Sequence, residues 1–402
     1  MKNPINYKFS NILGANGKEY LTVLLAYFAI ALVMFFPLFE HFSSSVLGYG
    51  GDTYQSMWDL WWVDYSLFTL HASPYFTNYV FYPIGANLIT QTMSPLLGII
   101  SYPLQLISLP FALNSIIVAG IVLAGLSMYL LANYLTNDKY ASFIAGLIFA
   151  FSPEHIVQSI GHMQWTNIEF IPLTIFFFLL MLKERKLKYA ILSSIFFVFS
   201  VFAGDVEQGI VVGLVIIFAL IYYIAFEKEE RKKILSKRFV YLFAVFVFAS
   251  FVIGSPGFLP MLNGISHGVL SYVNSQGTLQ YNLLYSYTLA SFFLPSYLNP
   301  IFGSIPGYLQ FKTSSVVDLA ESDGYIGYSV LALVIFAIFF SLKNKELRKI
   351  GLWLFLAVVF AWLSLGPYIR LSGFPTSLNG LIPGIYLLYH HIPLLNVLRE
   401  PG

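Results

Sequence analysis

The most constraining feature of this sequence is a series of long apolar segments, with the basic residues confined almost entirely to alternate gaps between them. Of the 21 Lys and Arg residues, all except Lys312, Arg370 and Arg399 lie in those alternate gaps, whereas all seven histidines lie in the others. In membrane proteins, Lys and Arg accumulate in the short loops that stay in the cytoplasm. We therefore expect a cytoplasmic N-terminus, a basic set of cytoplasmic loops, and an external set that holds the histidines.

Composition supports a chain built for the bilayer. Because 58% of the residues are hydrophobic and only 10% are charged, the chain cannot bury its apolar surface in one soluble core. We predict an all-α polytopic membrane protein, a single domain over residues 1–402, with about nine transmembrane helices and additional external juxtamembrane or interfacial helices. The scattered basic residues give no reason to expect nucleic acid as a partner. The absence of cysteine excludes disulfides and thiolate ligands.

The apolar runs define the predicted spans, and none of them contains Asp, Glu, Lys, Arg or His. They are Tyr20 to Phe39, Leu113 to Leu135, Tyr140 to Ser152, Phe170 to Leu182, Tyr189 to Ala203, Gly209 to Phe226, Phe239 to Leu259, Tyr325 to Leu342, and Ile350 to Ile369. Some are shorter than the roughly 20 residues that cross a bilayer, so flanking residues must contribute or the bilayer must thin locally.

One further apolar stretch, Ser94 to Leu109, is interrupted by Pro103 and closed by Pro110. A crossing there would move every later basic cluster to the outside, against the positive-inside bias. We therefore predict a re-entrant or interfacial segment on the external face. The chain then has two large external regions, at about residues 40–112 and 261–324.

The first external region begins with the segment Gly50 to Gln55, which is followed by aromatic residues at helical spacing. Those aromatic residues are Trp58, Trp61, Trp62 and Tyr65. On a helix they share one side, and Asp52, Ser56 and Asp59 share another, which predicts an interfacial helix with its carboxylates facing water. The alternative is that Asp52 is only an N-cap, with Gln55 completing a capping-box-like pair.

These features resemble membrane glycosyltransferases of the C-type (GT-C) fold, which use polyprenyl-phosphate-linked sugars, and in particular uncharacterised prokaryotic members, archaeal ones included. The resemblance extends over essentially the whole chain and depends on the order of several short motifs. They are the GGDTYQ segment after the first span, Phe151-Ser152-Pro153 followed by His155, His162, Gln164 and Trp165, then Ile171-Pro172-Leu173, Glu321 with Tyr325-Ile326-Gly327, and Leu398-Arg399-Glu400-Pro401.

The resemblance implies that an Asp in the first external loop acts near the acceptor, as a general base or by orienting the nucleophile, and Asp52 is the matching residue. A carboxylate suits this step because the acceptor hydroxyl loses a proton while positive charge develops at the anomeric carbon. The leaving group is a lipid phosphate, for which arginine provides bidentate recognition. Arg399 is the first candidate for binding this phosphate, and Arg370 is the second. The alternative role of Arg370 is that of an interfacial anchor.

Other external residues complete the candidate site. The predicted substrate-binding residues besides the two arginines are Gln55, His155, His162, Asp205, Glu207 and Glu321. The alternatives are that Asp205 and Glu207 cap the next helix, and that the two histidines only pack in their loop. A divalent cation is an open option, with Asp52, Glu154 and Asp205 as candidate ligands, although no ligand spacing here is diagnostic of a metal site.

We therefore expect transfer of a sugar from a polyprenyl-phosphate-linked donor to an acceptor on the external face of the plasma membrane. The alternatives are a flippase or transporter for lipid-linked sugars, and a non-catalytic membrane assembly protein. Uncharged spans disfavour a proton-coupled carrier, because such carriers use ionisable groups inside the membrane. The sequence stops at Gly402, directly after the Leu398 to Pro401 motif, and we expect a C-terminal continuation.

Overall fold

The computed structural model describes residues 17–48, 50–89, 91–267, 282–283, 285–295, 299, 301, 324–343, 350–371 and 382–384. The described part is mostly helical, with only two-residue strands, which confirms the predicted all-α membrane fold. The chain divides into two compact units. The first contains Met1–Phe151, Ser159–Val212 and Leu235–Met261, and the second contains Ser152–Gln158, Gly213–Ile234 and Leu262–Gly402.

The helices follow the apolar runs of the sequence. In chain order they are α1 (Gly17–Met34), α2 (Phe36–Glu40), α3 (Gly51–Asp64), α4 (Pro95–Gln105), α5 (Leu109–Thr136), α6 (Lys139–Ala150), α7 (Pro153–Gln158), α8 (Met163–Thr166), α9 (Phe170–Glu184), α10 (Leu187–Ala203), α11 (Val206–Phe226), α12 (Lys228–Ile234), α13 (Lys237–Ser266), α14 (Tyr328–Lys343) and α15 (Gly351–Ser364). A π-helical turn, Tyr65–Thr69, extends α3. A 3-10 turn covers Leu289–Phe292.

Every predicted span coincides with a helix. Within the described ranges, four helices are long and apolar enough to cross a bilayer, namely α1, α5, α11 and the Lys237–Gly264 part of α13. The helices α6, α10, α14 and α15 are apolar but shorter. The number of nine crossings therefore stays a prediction.

The stretch from Ser94 to Leu109 contains α4, which has 11 residues. Such a helix extends about 16 Å, roughly half of the hydrocarbon core, so it is too short to cross a bilayer alone. It buries Leu97, Gly98 and Ser101 and leaves Ile99 and Ile100 exposed. This two-sided distribution is what an interfacial helix requires.

The core of the first unit surrounds α5, which packs against α1, α4, α6 and α9. Tyr27 of α1 is fully buried, and its hydroxyl donates a hydrogen bond to the Phe143 carbonyl oxygen at 2.9 Å. Gly125 and Gly146 admit this ring, because an added Cβ would lie 2.9 Å from Tyr27 Cδ2 at Gly125 and against Tyr27 Oη at Gly146. Small residues here allow three helices to approach closely.

Asn114 of α5 fixes the loop that leads to α3. Its side chain is fully buried, its Nδ2 donates to the carbonyl oxygens of Phe42 (2.8 Å) and Ser45 (2.7 Å), and its Oδ1 accepts from the Leu47 amide (3.0 Å). A buried amide with satisfied hydrogen bonds holds its partners in one geometry. The entry to α3 is therefore tied to a membrane helix.

After α3 the chain forms an antiparallel hairpin of β1 (Phe76–Thr77) and β2 (Ala86–Asn87), in the register Phe76↔Asn87. In the second unit, β3 (Tyr368–Ile369) pairs antiparallel with β4 (Ile382–Pro383). There the C-terminal half of α11 packs against α15, with Tyr222 and Phe355 ring centroids 5.5 Å apart.

Candidate functional site

Two glycines shape the chain as it enters α3. Gly48 has φ +119°, and a Cβ there would lie 2.4 Å from both the Ile160 carbonyl oxygen and Thr53 Oγ1. Gly50 has φ +83° and is the N-cap of α3. L-residues with a Cβ rarely adopt these positive φ values. The glycines thus allow the start of α3 to lie directly against the segment that contains Ile160.

This approach brings Asp52 and His162 together. His162 Nε2 lies 3.3 Å from Asp52 Oδ2, although the two residues are distant in the sequence. The side chain of Asp52 is 58% exposed, whereas that of His162 is 10% exposed. The site therefore has an accessible carboxylate with one oxygen beside a buried imidazole, and His162 fixes the orientation of a group that remains open to a substrate.

Asp52 is not the N-cap of α3, so the capping-box interpretation is wrong. Gly50 occupies the N-cap position without a side-chain cap, and Asp52 lies in the first turn of the helix. A carboxylate in that turn is still favoured by the helix dipole. Gln55, the other member of the expected pair, points instead to the loop before α4, and its Nε2 donates to Thr92 Oγ1 at 3.4 Å.

The expectation that the whole polar side of α3 faces water is wrong below its first turn. Ser56 is 7% exposed and Asp59 is 2% exposed. Burial raises the pKa of the Asp59 carboxyl to about 8, opposed in part by a hydrogen bond from the Gln91 side chain. Asp59 Oδ1 has no hydrogen-bond partner. The polar side of α3 thus carries one open carboxylate and one buried carboxyl.

The aromatic side of α3 forms the cluster that its spacing predicts. Trp58 stacks on Trp62 with ring centroids 5.8 Å apart, and Trp61 stacks on Tyr65 at 5.1 Å. Trp62 is 2% exposed, and its indole nitrogen donates to the Pro74 carbonyl oxygen at 2.8 Å. The aromatic residues therefore hold the segment that leads to the β1–β2 hairpin against α3, the helix that carries Asp52 in its first turn.

The turn before α11 contributes a capping acid and a buried amide. Asp205 Oδ1 accepts a hydrogen bond from the backbone amide of Gln208 at 3.1 Å, so Asp205 caps α11. Glu207 is partly buried in the first turn of that helix. The side chain of Gln208 is fully buried, and its Nε2 donates to the Gln164 carbonyl oxygen at 2.6 Å. Sequence reasoning missed Gln208, because it looks like an ordinary helix-start glutamine.

A second buried acid, Glu169, precedes α9 and was also missed. It is 5% exposed, burial raises its pKa to about 8, and its Oε2 has no hydrogen-bond partner. Its position directly before an apolar run was the only sequence signal.

Among the described residues, no group of three His, Asp or Glu side chains is arranged to hold a metal ion. The use of a divalent cation stays a prediction.

Three of the predicted site residues that the structure describes lie in the second unit. Glu154 is partly buried, and His155 is 1% exposed. Arg370 is 2% exposed, and its Nη2 donates to both the carbonyl oxygen (2.5 Å) and the hydroxyl (2.8 Å) of Ser286. Burial lowers the pKa of Arg370 to about 10. Arg370 is thus bound within its unit. Arg399 and Glu321 lie outside the described residues.

Comparison with known proteins identifies the family of the chain. The family model "Oligosaccharyl transferase STT3, N-terminal" matches residues 65–384, a range that includes His162, Asp205, Gln208 and Arg370 and begins after Asp52. No curated protein matches the chain. Because the family model covers most of the sequence, the chain belongs to the STT3 family of GT-C-type membrane glycosyltransferases, which use a lipid-linked donor.

Proposed function

We propose that this protein transfers a sugar from a polyprenyl-phosphate-linked donor to an acceptor at the external face of the plasma membrane, with Asp52 as the catalytic carboxylate. The observation that carries the proposal is the exposed Asp52 carboxylate, 3.3 Å from the buried His162, in the first turn of α3. The N-terminus is cytoplasmic in this proposal, as the distribution of Lys and Arg favours.

The chemistry requires an open carboxylate. An acceptor hydroxyl must lose its proton as it attacks, and the anomeric carbon gains positive charge as the phosphate leaves. The Asp52 oxygens can accept that proton or orient the hydroxyl, while the contact with His162 limits rotation of the carboxylate. An ordered base costs less reorganisation in the transition state than a freely rotating one.

The phosphate of the donor needs a cation. Only Lys312, Arg370 and Arg399 lie in the predicted external gaps, and Arg399 is the first candidate among them. Arg370 is the second candidate. Its contacts with Ser286 mean that binding of a phosphate would use the rest of its guanidinium group. A divalent cation, with Asp52, Glu154 or Asp205 among its ligands, would supply the same neutralisation of the leaving group.

The remaining predicted residues have supporting roles in the proposal. Gln55 is one turn from Asp52 on α3 and can reach an acceptor near it. His162 orients Asp52. His155, Glu207 and Glu321 are proposed substrate contacts. The acceptor is a glycan, lipid or protein, and membership of a transferase family favours transfer over the alternatives of lipid flipping and non-catalytic assembly.

The test uses the full chain in nanodiscs with a panel of short-chain dolichyl-phosphate and dolichyl-diphosphate sugars that carry tritiated mannose, glucose or N-acetylglucosamine. Native membrane extract supplies acceptors, and chromatographic separation of the tritiated donor from all tritiated products measures transfer. We expect wild type to consume at least one donor. Asp52→Asn, which keeps the size of the side chain, should reduce the rate by about 100-fold or more, since general-base catalysis contributes at least that much.

The thermal midpoint of Asp52→Asn should stay close to that of wild type, because the side chain is exposed. If Asp52→Asn transfers sugar at the wild-type rate, the role of this carboxylate is refuted. If the donor crosses between leaflets of proteoliposomes and is never consumed, the protein is a flippase.

A further inference from the structure

The first turn of α11 contains a side chain with no role in the proposed chemistry and an unusual environment. Gln208 is fully buried, its Nε2 donates to the Gln164 carbonyl oxygen at 2.6 Å, and its Oε1 is buried without a hydrogen-bond partner. A buried unsatisfied carbonyl oxygen costs on the order of 1–3 kcal/mol. An apolar residue of similar shape would avoid this cost. The presence of glutamine here therefore suggests that its hydrogen bond to Gln164 has a role beyond packing.

Gly204 fixes the position of the Gln208 side chain. A Cβ at Gly204 would lie 2.2 Å from Gln208 Cδ, so the amide occupies space that only glycine leaves open. The Gly204 carbonyl oxygen also accepts a hydrogen bond from the buried Ser94 hydroxyl at 3.2 Å. Ser94 follows closely after Thr92, the partner of Gln55 on α3. The turn before α11 is thus hydrogen-bonded to the segment that follows Thr92, and Thr92 itself contacts α3.

The bond to Gln164 connects the first turn of α11 to the segment that contains His162. His162 is the N-cap of α8, the one-turn helix that contains Gln164, and the backbone amides of Trp165 and Thr166 both donate to the His162 carbonyl oxygen. His162 and Gln164 therefore move as one unit. The hydrogen bond from Gln208 holds the backbone of this unit, and the imidazole of the same unit lies 3.3 Å from the Asp52 carboxylate.

We propose that Gln208 is a positioning residue for sugar transfer: by holding the Gln164 carbonyl group, it sets the contact between His162 and Asp52. The proposal rests on the proposed function of Asp52. Gln208 itself is fully buried, so its side chain is not accessible to a donor or an acceptor. Loss of its hydrogen bond should therefore lower the turnover rate and leave the KM for the donor almost unchanged.

The first variant is Gln208→Met, which keeps the length of the side chain and removes the hydrogen-bond donor Nε2. We expect kcat to fall about tenfold, since small displacements of reacting groups have effects of this size or larger, with KM for the tritiated dolichyl-phosphate sugar within about twofold of wild type. Rates are normalised to the folded fraction from size-exclusion chromatography. An unchanged kcat in Gln208→Met would overturn the proposal.

The second variant, Gln208→Glu, adds a readout that a merely structural role would not produce. A protonated carboxyl can donate to the Gln164 carbonyl oxygen, but a carboxylate cannot and would repel it. We therefore expect the rate of Gln208→Glu, relative to wild type, to recover as pH falls from 8 to 5. A ratio that does not change with pH would contradict the proposal.

Glycine variants give a matched pair. Gly204→Ala should reproduce the loss of kcat in Gln208→Met, because its Cβ displaces the amide. Gly213→Ala on the same helix is the control, since a Cβ there meets nothing within 4 Å, and it should keep the wild-type rate. Equal rates for the two alanine variants would count against the proposal.

A distance measurement separates failure of this inference from failure of the proposed function. Because the chain has no cysteine, Tyr54→Cys on α3 and Trp165→Cys on α8 can be spin-labelled alone. We expect Gln208→Met to lengthen or broaden the distance distribution between the labels even if no donor in the panel is consumed. An unchanged distribution refutes the positioning role, and absence of transfer by wild type refutes only the function assigned to Asp52.

Discussion

Asp52 and Asp59 lie on the same face of α3, about two helical turns and 10 Å apart, yet their environments are opposite. The Asp52 side chain is 58% exposed beside His162, whereas Asp59 is 2% exposed, with a pKa raised to about 8 by burial. Helical spacing determines which face a residue shares. The depth at which the face enters the protein determines whether its carboxyl group is available for chemistry.

After replacement of Asp52 itself, the largest effect should come from removing the histidine beside its carboxylate. His162→Ala leaves Asp52 in place and removes the imidazole at 3.3 Å from Oδ2. We expect the transfer rate to fall about 100-fold, because an unoriented carboxylate loses much of the contribution of a general base. The rate of tritium loss from the donor measures it. An equal loss in Asp59→Ala would remove the distinction between the two ends of α3.

The buried end of α3 should show itself in stability against pH. The pKa of Asp59 is raised from 3.8 to about 8 in the folded state, so between these values the unfolded chain ionises and the folded chain does not. Stability should therefore fall as pH rises through this interval, by up to ~1.4 kcal/mol per pH unit, and should be unaffected by this group below pH 4.

Asp59→Asn should remove that part of the pH dependence. We expect its thermal midpoint in detergent to match or exceed that of wild type at pH 8, and the difference between the two to shrink toward pH 4. Because all other titrating groups are shared, the difference isolates Asp59. Parallel curves for variant and wild type from pH 4 to pH 8 would show that Asp59 is not buried as described.

The smallest effect concerns the aromatic cluster of α3. Trp62→Phe keeps a ring but removes the indole donor to the Pro74 carbonyl oxygen, and should cost about 1 kcal/mol of stability. Trp61→Phe, at a partly exposed position, is the control and should cost less. Thermal unfolding monitors both. A larger loss for Trp61→Phe would indicate that the cluster is held mainly by ring contacts.

Much of the fold could be predicted from the sequence, because a bilayer imposes apolar runs of fixed length and sorts basic residues to one side. The separation of the segment from Ser94 to Leu109 from the spans rests on the inversion of the later loops that a crossing would cause, and it stays a prediction. Asp52 stood out because it follows a glycine pair at the start of an aromatic helix. These are local or one-dimensional signals.

The rest depends on contacts between distant segments. The Gln208 side chain meets a carbonyl group 44 residues away, and no periodicity in either segment indicates that pairing. Burial of Asp59 depends on the loop that contains Gln91 packing over α3, and the sequence of α3 alone favours exposure. The contact of Arg370 with Ser286 likewise depends on the fold of the second unit.

The most direct test of the central claim is the ratio of the transfer rates of Asp52→Asn and Asp59→Asn, measured with the same donor in one preparation of nanodiscs. Both variants exchange a carboxyl for an amide on the same face of α3. We predict that Asp59→Asn keeps the rate within about threefold of wild type, while Asp52→Asn loses about 100-fold or more. Equal rates in the two variants, whether both retained or both lost, would contradict the assignment of Asp52 as the catalytic carboxylate.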